Sequence, residues 1–194
     1  MKAHSFIYLI IYSCFIMSVS LQAQEHFADR YNVSYITMDD GLPHNFIDDI
    51  YKDTRGFLWI STAGGGLSRY DGYEFIHFNP NTPHSKLKSN FIHNVYEDRF
   101  HRLWIVSEGG TDIIDLSTLQ SVIPNDPKGL LPRFINHPTY IVILDSQGCI
   151  WLQCDNALHR ITFDAEGGID TLSTLDLPEQ DEPDLILKDI DEDG

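Results

Sequence analysis

Tryptophan recurs in this chain at a nearly fixed interval, each time between two apolar residues. The three copies are Leu58-Trp59-Ile60, Leu103-Trp104-Ile105 and Ile150-Trp151-Leu152, and the tryptophans are 45 and 47 residues apart. A period of this size is typical of repeat proteins, in which one unit cannot bury its own apolar faces and must stack on its neighbours. The chain is therefore predicted to fold as an array of similar units.

An aspartate precedes each tryptophan by the same distance and predicts a turn between two strands. The aspartates are Asp53, Asp98 and Asp145. An aspartate side chain can accept hydrogen bonds from backbone N–H groups two residues on, and a following glycine tolerates the positive φ that closes a hairpin. The first and third turns have Gly56 and Gly148, whereas the second has His101 at that place. We expect the second turn to need a longer loop or to hold His101 at a small cost in φ.

Two further strands follow each tryptophan, which gives four antiparallel strands per unit. The third strands are predicted at Gly65–Asp71, Gly110–Asp115 and Asn156–Ile161, and outer strands at Tyr73–Phe78 and Ile169–Leu175. Apolar inner strands with a more polar outer strand are typical of β-propeller blades, which stack face to face around an axis. The fold class is therefore predicted as all-β: an open arc of about three propeller blades plus the start of a fourth.

The predicted boundaries follow from the repeats and from the segments between them. The blades are predicted at 41–80, 86–123 and 134–176, with an incomplete blade at 185–194. The connecting segments 79–83, 124–138 and 178–184 are rich in proline or acidic residues, which is typical of loops between blades.

The N-terminus is typical of a secretory signal peptide. Lys2 precedes an apolar stretch from Phe6 to Val19, and Ala23 offers a small residue before cleavage at Gln24. The apolar stretch is short for a membrane span. A lipoprotein signal at Cys14 is the alternative, but Tyr12 is bulky where such signals need a small residue. We expect residues 1–23 to be removed and residues 24–194 to be periplasmic.

The charge of the chain argues against nucleic acid and anionic bilayers as partners. The formal net charge is −16 and becomes −17 when Lys2 is removed with the signal peptide. Such a surface repels phosphate groups.

The cysteines left after processing do not predict a disulfide. Cys149 and Cys154 lie an odd number of residues apart on one predicted strand, so their side chains point to opposite faces. They are expected to be small buried residues without a redox role.

No catalytic or metal site is predicted from the residues. Glycoside cleavage needs two carboxylates across a cleft, but three of the five candidates occupy equivalent turns, and structural roles are expected for all of Asp48, Asp49, Asp53, Asp98 and Asp145. The histidines lack metal-ligand spacing; they are His77, His84, His93, His101, His137 and His159.

Two short motifs are likewise interpreted as structural. Gly64-Gly65-Gly66 lacks the lysine and hydroxyl of a phosphate loop and is interpreted as a hairpin turn. Asp189–Gly194 resembles the first half of a calcium loop, but the repeat already accounts for Asp193, and calcium is the weaker alternative. Ligand contacts are expected from loops at one face, around His44-Asn45 or Asn90-Phe91, without a ranking between them; the ligand-binding residues stay unknown.

The motifs together resemble the two-component regulator propeller family, the periplasmic sensor region of hybrid two-component histidine kinases. The resemblance rests on Gly41-Leu42-Pro43-His44-Asn45, on Asp53-x-x-Gly56-Phe57-Leu58-Trp59-Ile60-Ser61-Thr62, and on Gly66-Leu67-Ser68-Arg69-Tyr70-Asp71-Gly72-Tyr73-Glu74-Phe75. It extends from about Ser34 to the end and weakens in repeat two, at Val106-Ser107-Glu108, and in repeat three.

The resemblance implies a function for the array. Such propellers bind extracellular ligands such as oligosaccharides and precede an immunoglobulin-like domain, a transmembrane helix, a kinase, a receiver and a DNA-binding domain. We therefore expect a truncated N-terminal fragment of such a sensor that is not itself an enzyme and needs no cofactor. Its expected partners are an oligosaccharide or small ligand, the remaining blades and, in the full-length protein, a second copy. A secreted polysaccharide-acting enzyme and a non-signalling carbohydrate-binding or adhesion module are the alternatives.

Overall fold

The computed structural model describes residues 35–83 and 86–177, and the regular secondary structure of this part is almost entirely β-strand. The strands belong to the compact unit that begins at Thr37. They form three separate four-stranded sheets, each made from consecutive strands in chain order. We call the sheets blades 1, 2 and 3.

Every blade is an antiparallel meander whose first strand is the inner one. Blade 1 consists of β1 (Ile47–Lys52), β2 (Leu58–Thr62), β3 (Gly66–Tyr70) and β4 (Phe75–Phe78). Blade 2 consists of β5 (Ile92–Glu97), β6 (Arg102–Ser107), β7 (Gly110–Asp115) and β8 (Gln120–Ser121). Blade 3 consists of β9 (Thr139–Leu144), β10 (Ile150–Cys154), β11 (Ala157–Phe163) and β12 (Ile169–Asp176).

The predicted all-β fold with four-stranded antiparallel blades is confirmed. Two short 3-10 helices, Met38–Asp40 and Leu131–Arg133, precede the first strands of blades 1 and 3, and the second lies inside the predicted loop 124–138. The signal peptide predicted at 1–23 and the incomplete blade predicted at 185–194 lie outside the described residues. In the described ranges, no helix has the length and hydrophobicity to cross a bilayer.

The hydrophobic core lies between the blades. Trp59, Leu67 and Phe78 of blade 1 cluster with residues of the next blade and its entry segment: Leu87, Ile92, Val95, Leu103, Ile105, Ile114 and Leu116. Trp104, Val106 and Ile113 of blade 2 cluster in the same way with Leu131, Phe134, Val142, Ile150, Leu152, Cys154, Ile161, Phe163 and Ile169. Because successive side chains point to opposite faces of a strand, each blade contributes one face to each neighbour. Trp59 and Trp104 are therefore inter-blade core residues, as predicted.

The segment that enters each blade also contributes a buried apolar residue. Leu42, Leu87 and Phe134 lie at equivalent distances before the inner strands, and all three are buried. Gly41, before Leu42, has a φ of 102° and caps the first 3-10 helix. The repeat unit thus includes its entry segment as well as its four strands.

Candidate functional site

The strand order gives each blade two ends with different chemistry. At one end, which we call the turn end, lie the connections 53–57, 71–74, 98–101, 116–119, 145–149 and 164–168. At the other, the entry end, lie the starts of the inner strands with the connections 43–46, 63–65, 88–91, 108–109, 136–138 and 155–156. A ligand approaching the array meets one end or the other.

The aspartates of the turn end are occupied by bonds within their own turns. Asp53 Oδ1 accepts the N–H groups of Arg55 and Phe57 at 3.0 and 2.9 Å. Its Oδ2 accepts the indole N–H of Trp59 at 2.9 Å. The same three bonds recur at Asp98, from Phe100, Arg102 and Trp104, and at Asp145, from Gln147, Cys149 and Trp151.

This arrangement links each turn to the tryptophan of its own blade, and Trp59 and Trp104 in turn pack on the next blade. Burial of the Asp145 carboxylate acts to raise its pKa, but the hydrogen bonds from Cys149 and Trp151 outweigh it and hold the pKa below the ordinary value of 3.8. A carboxylate that its turn keeps ionised accepts these hydrogen bonds and so has a structural role. The turn role predicted for these three aspartates is confirmed.

The second turn holds His101 in the left-handed region, with a φ of 58°. Of the two alternatives predicted for this turn, a longer loop or a small cost in φ at His101, the chain adopts the second. His101 Nδ1 lies 2.8 Å from Glu97 Oε1, which ties the strained residue to its own strand.

Glu97 also connects blade 2 to the turn of blade 1. Its carboxylate accepts the N–H and the hydroxyl of Thr54, both at 2.7 Å. Burial acts to raise the pKa of Glu97, but the hydrogen bonds from Thr54 and His101 lower it below its ordinary value of 4.5. We call this contact the carboxylate latch.

A second polar connection runs along the inner strands. Asp49 accepts the side-chain amide of Asn94 at 2.9 Å, and Asn94 accepts the N–H of Val142 at 3.1 Å. Asp49 thereby serves to join blades, whereas Asp48 beside it is exposed.

The histidines are dispersed and mostly bonded to side chains of their own blade. His77 contacts the hydroxyl of Ser68 and His159 that of Thr174, each at 3.0 Å. His137 is exposed in the segment before β9, and His84 lies outside the described residues. Within 35–83 and 86–177, no group of three histidine, cysteine or acidic residues could hold a metal ion.

The cysteines are free and buried, as predicted. Cys149 lies one residue before β10 and Cys154 at its end. Burial raises the pKa of the Cys154 thiol to about 11, so it stays protonated at neutral pH.

The glycine triplet forms the predicted hairpin turn at the entry end. Gly64 and Gly66 have φ values of 101° and 82°, and both donate their N–H groups to the carbonyl of Asn90. A Cβ at Gly66 would lie 2.4 Å from the carbonyl oxygen of Phe78. This turn needs glycine because of the close approach of the outer strand.

Exposed aromatic side chains collect at the entry end. Phe46 and Phe91 occupy equivalent positions just before β1 and β5, and they are 69 and 47 % exposed. The Phe91 ring lies over the glycine turn, close to Gly64. His93 and Tyr140 are the second residues of the inner strands β5 and β9. Their rings lie 5.5 Å apart and join blades 2 and 3.

Two polar atoms at this end have no hydrogen-bond partner. They are Oδ1 of Asn90 and Nε2 of His93, both shielded from solvent and without an acceptor or donor among the described residues. Buried polar atoms in folded proteins are nearly always paired, so such atoms need an explanation. The entry end thus combines exposed aromatic rings with unused hydrogen-bonding capacity, and we take Asn90, Phe91, His93 and Tyr140 as the candidate site.

Part of this site could be predicted from the sequence. The loops around His44-Asn45 and Asn90-Phe91 were expected to contact a ligand, and the structure places both at the entry end; whether they bind one stays a prediction. Tyr140 and His93 were missed because their pairing joins residues of different repeats. Their equivalent positions, five residues before Asp145 and Asp98, were the available signal.

Comparison with known proteins shows what two of the repeats are similar to. The sequence model of the two component regulator propeller matches residues 41–64 and 86–109, the entry segment and first two strands of blades 1 and 2. Two of the three blades thus contain a segment that matches the two component regulator propeller model. No curated protein matches the chain.

Solved structures show the same fold as these propeller repeats. The extracellular domain of the hybrid two component system BT3049 from B. thetaiotaomicron matches with 21 % identity and a TM-score of 0.58 over 74 % of this chain. The extracellular domain of BT4673 from the same organism matches with 24 % identity and a TM-score of 0.52 over 68 % of this chain. The chain spans only about a fifth of these structures, 20 and 19 %.

Proposed function

We propose that this chain is part of an exported, ligand-sensing propeller of a hybrid two-component system, and that its ligand is a neutral oligosaccharide. The propeller repeats and the similarity in fold to extracellular domains of such systems support the sensor assignment. A fold alone does not give a function, so the assignment also needs a binding surface.

The entry end is the proposed ligand-binding surface. The observation that carries this proposal is the pair of buried, unpaired atoms in Asn90 and His93 next to exposed aromatic rings. Ligand sites typically combine apolar and aromatic walls with a few polar groups that fix orientation. The aspartates of the turn end, in contrast, already have their acceptors filled by their own backbone.

The ligand class follows from charge and from the aromatic side chains. The chain carries a formal net charge of −16, which disfavours an anionic ligand. An aromatic ring offers a flat apolar face, and the amide and imidazole beside it can exchange hydrogen bonds with hydroxyl groups. An uncharged ligand with both apolar faces and hydroxyl groups, such as an oligosaccharide, fits these features.

In a complete sensor, ligand binding would act by favouring one of two signalling states. A ligand shifts such an equilibrium only by its difference in affinity for the two states. A site whose residues come from two neighbouring blades, as His93 and Tyr140 do, gives a physical basis for that difference, because any change in blade spacing alters the site. The kinase and regulator domains expected downstream belong to this proposal.

A catalytic alternative has less support. Asp53, Asp98 and Asp145 are held in turns, and Asp49 is bonded to Asn94, so four of the five candidate carboxylates have structural partners. No observation in this chain favours cleavage of a polysaccharide over binding it.

Titration calorimetry with a panel of neutral oligosaccharides tests the proposed surface. We expect Phe91→Ala and Tyr140→Ala each to weaken binding about tenfold, as for an aromatic residue at the centre of an interface. Tyr73→Ala is the matched control, because Tyr73 is 92 % exposed but lies at the turn end. Equal losses in all three variants, or binding of acidic oligosaccharides alone, would contradict the proposal.

Export is tested separately by the mass of the secreted product. Expression of the whole chain in a Gram-negative host should yield a periplasmic protein that begins at Gln24. A cytoplasmic product that retains Met1 would contradict the exported location.

A further inference from the structure

The three inner strands share an irregularity at their second residue. In blades 1 and 2 the pairing of the first two strands skips one residue of the inner strand, Asp48 in β1 and His93 in β5. In blade 3 the pairing of β9 with β10 skips Tyr140 in the same way. Each blade thus has a β-bulge at the same repeat position, five residues before its turn aspartate. A bulge leaves its extra residue out of the ladder and changes the direction of that side chain.

Equivalent residues of neighbouring inner strands lie close together. Stacked sheets are about 10 Å apart face to face. The rings of His93 and Tyr140, however, are only 5.5 Å apart. Between blades 1 and 2, the side-chain amide of Asn94 lies 2.9 Å from the carboxylate of the equivalent Asp49. The blades therefore converge at their inner strands, and the bulges lie where they converge.

Asp48 extends the candidate site onto blade 1. It lies one repeat before His93, as His93 lies one repeat before Tyr140. Because blades 1 and 2 converge at the next residue, Asp49, the bulge at Asp48 is placed beside blade 2 at the entry end. Of the five candidate carboxylates named above, only Asp48 is exposed. We call Asp48, His93 and Tyr140 the bulge row.

The charge of Asp48 is not neutralised by the segments that lead into the inner strands. The connections 43–46, 88–91 and 136–138 contain no arginine and a single lysine, Lys88. The ammonium group of Lys88 already pairs with Asp112 at 2.9 Å. An exposed carboxylate accepts hydrogen bonds from hydroxyl groups but repels another anion. The blade 1 end of the bulge row is thus suited to a hydroxyl-bearing ligand and unsuited to an acidic one.

We propose that Asp48 is a specificity-determining residue of the entry end, which accepts hydrogen bonds from ligand hydroxyl groups and excludes sugars that carry a carboxylate or sulfate. The inference rests on the proposed function, since it assigns a further contact to the same surface. Specificity often comes from a repulsive group that disfavours the wrong ligand. An amide at this position would keep the hydrogen bonding and lose the repulsion.

Titration calorimetry of the full chain with matched ligands tests this role. The ligands are the neutral oligosaccharides of the panel above and the same compounds oxidised at C6 to uronates. We expect Asp48→Asn to bind the uronate forms about tenfold more tightly than the unmodified chain does, because a like charge is removed. Affinity for the neutral forms should change by less than about threefold, since the amide still exchanges hydrogen bonds.

Asp176→Asn is the matched control. It removes the same charge from an exposed aspartate at the entry end, but from the outer strand β12. This variant should leave both affinities unchanged. The gain in Asp48→Asn should also shrink at about 0.5 M salt, because salt screens exposed charges.

The outcomes separate this inference from the proposed function. If the neutral forms bind and Phe91→Ala weakens them, but Asp48→Asn and Asp176→Asn bind the uronate forms equally, the role of Asp48 is wrong and the proposed surface remains. If no neutral form binds the unmodified chain, the proposed function is wrong. In that case a uronate affinity that rises in Asp48→Asn alone would still support exclusion by charge, and the absence of such a rise would overturn it as well.

Discussion

The middle blade and the two flanking blades have nearly the same sequence pattern, but only the middle blade is buried on both faces by described neighbours. Ile50, Val95 and Val142 occupy the same position of the inner strand, and they are 59, 1 and 1 % exposed. Trp59 and Trp104 are fully buried, whereas Trp151 is partly exposed. The burial of a side chain in this fold is therefore decided by the neighbouring blade and not by its own sheet.

The polar groups show the same difference. The Asp98 side chain of blade 2 is fully buried and pairs with Arg102 at 2.7 Å, whereas the Asp145 side chain of blade 3 keeps 10 % exposure and lies 3.6 Å from Arg160. Both aspartates accept the same three turn bonds. In the middle blade the turn aspartate therefore belongs to a buried ion pair. The pair is buried because Gly167 of blade 3 covers Arg102, and its carbonyl accepts a hydrogen bond from the guanidinium.

The largest expected effect is the loss of this buried ion pair. Asp98→Ala should lower the free energy of unfolding by about 3–5 kcal/mol, because it leaves the Arg102 charge buried without its partner. Asp145→Ala should cost about 1–2 kcal/mol, since water can accept hydrogen bonds from some of the N–H groups that lose the carboxylate. Urea unfolding of both variants measures the difference; equal losses would contradict the distinction between the blades.

The next effect concerns the tryptophans. Trp104→Phe should cost about 2–4 kcal/mol, from the cavity and from the loss of one of the hydrogen bonds to Asp98 Oδ2. We expect less than half of that loss for Trp151→Phe, because its ring is already partly hydrated. Thermal unfolding followed by circular dichroism gives the comparison, with Trp59→Phe as a second buried case that should match Trp104→Phe.

The inner strands offer a purely apolar version of the test. Val95→Ala should cost about 2 kcal/mol, because the methyl groups leave a filled inter-blade core. Ile50→Ala removes more atoms but should change stability by only about 0.5 kcal/mol, as is usual for an exposed position. A larger loss at Ile50 than at Val95 would mean that the outer face of blade 1 is covered.

The smallest expected effect is the acid dependence due to the carboxylate latch. The pKa of Glu97 is lowered in the folded protein, so its stabilising contribution is present above the ordinary value of 4.5 and is lost as the pH falls through the lower folded value. Glu97→Gln should therefore flatten the decline of stability below about pH 4.5. An unchanged acid limb in this variant, measured by urea midpoints across that range, would show that Glu97 is not linked to folding.

Much of the fold could be predicted from the sequence because the repeat encodes it locally. The spacing of Asp53 and Trp59, the turn glycines and the alternation of apolar residues together specify strands, turns and faces. The strand Gly110–Asp115 has the predicted bounds, and the positive φ of His101 is one of the two alternatives predicted for its turn. These features depend on residues a few positions apart.

The candidate site was harder to predict from the sequence because it is formed by residues of different repeats. Contacts such as His93 with Tyr140, or Asp49 with Asn94, join residues more than forty positions apart and depend on the spacing of the blades. The bond from each tryptophan to its aspartate was also missed, although the constant spacing of six residues contained the signal. The identity of a ligand depends on the shape of the entry end, which one sequence does not specify.

Proton–proton contacts between blades test the central claim most directly, since they report which residues surround each tryptophan. In a nuclear Overhauser spectrum of the whole chain, the indole ring of Trp59 should show contacts to the methyl groups of Val95 and Ile105, and that of Trp104 to Val142 and Ile150. This pattern would establish that successive sheets bury each other's tryptophans. Indole contacts confined to each tryptophan's own sheet would contradict the stacked-blade account.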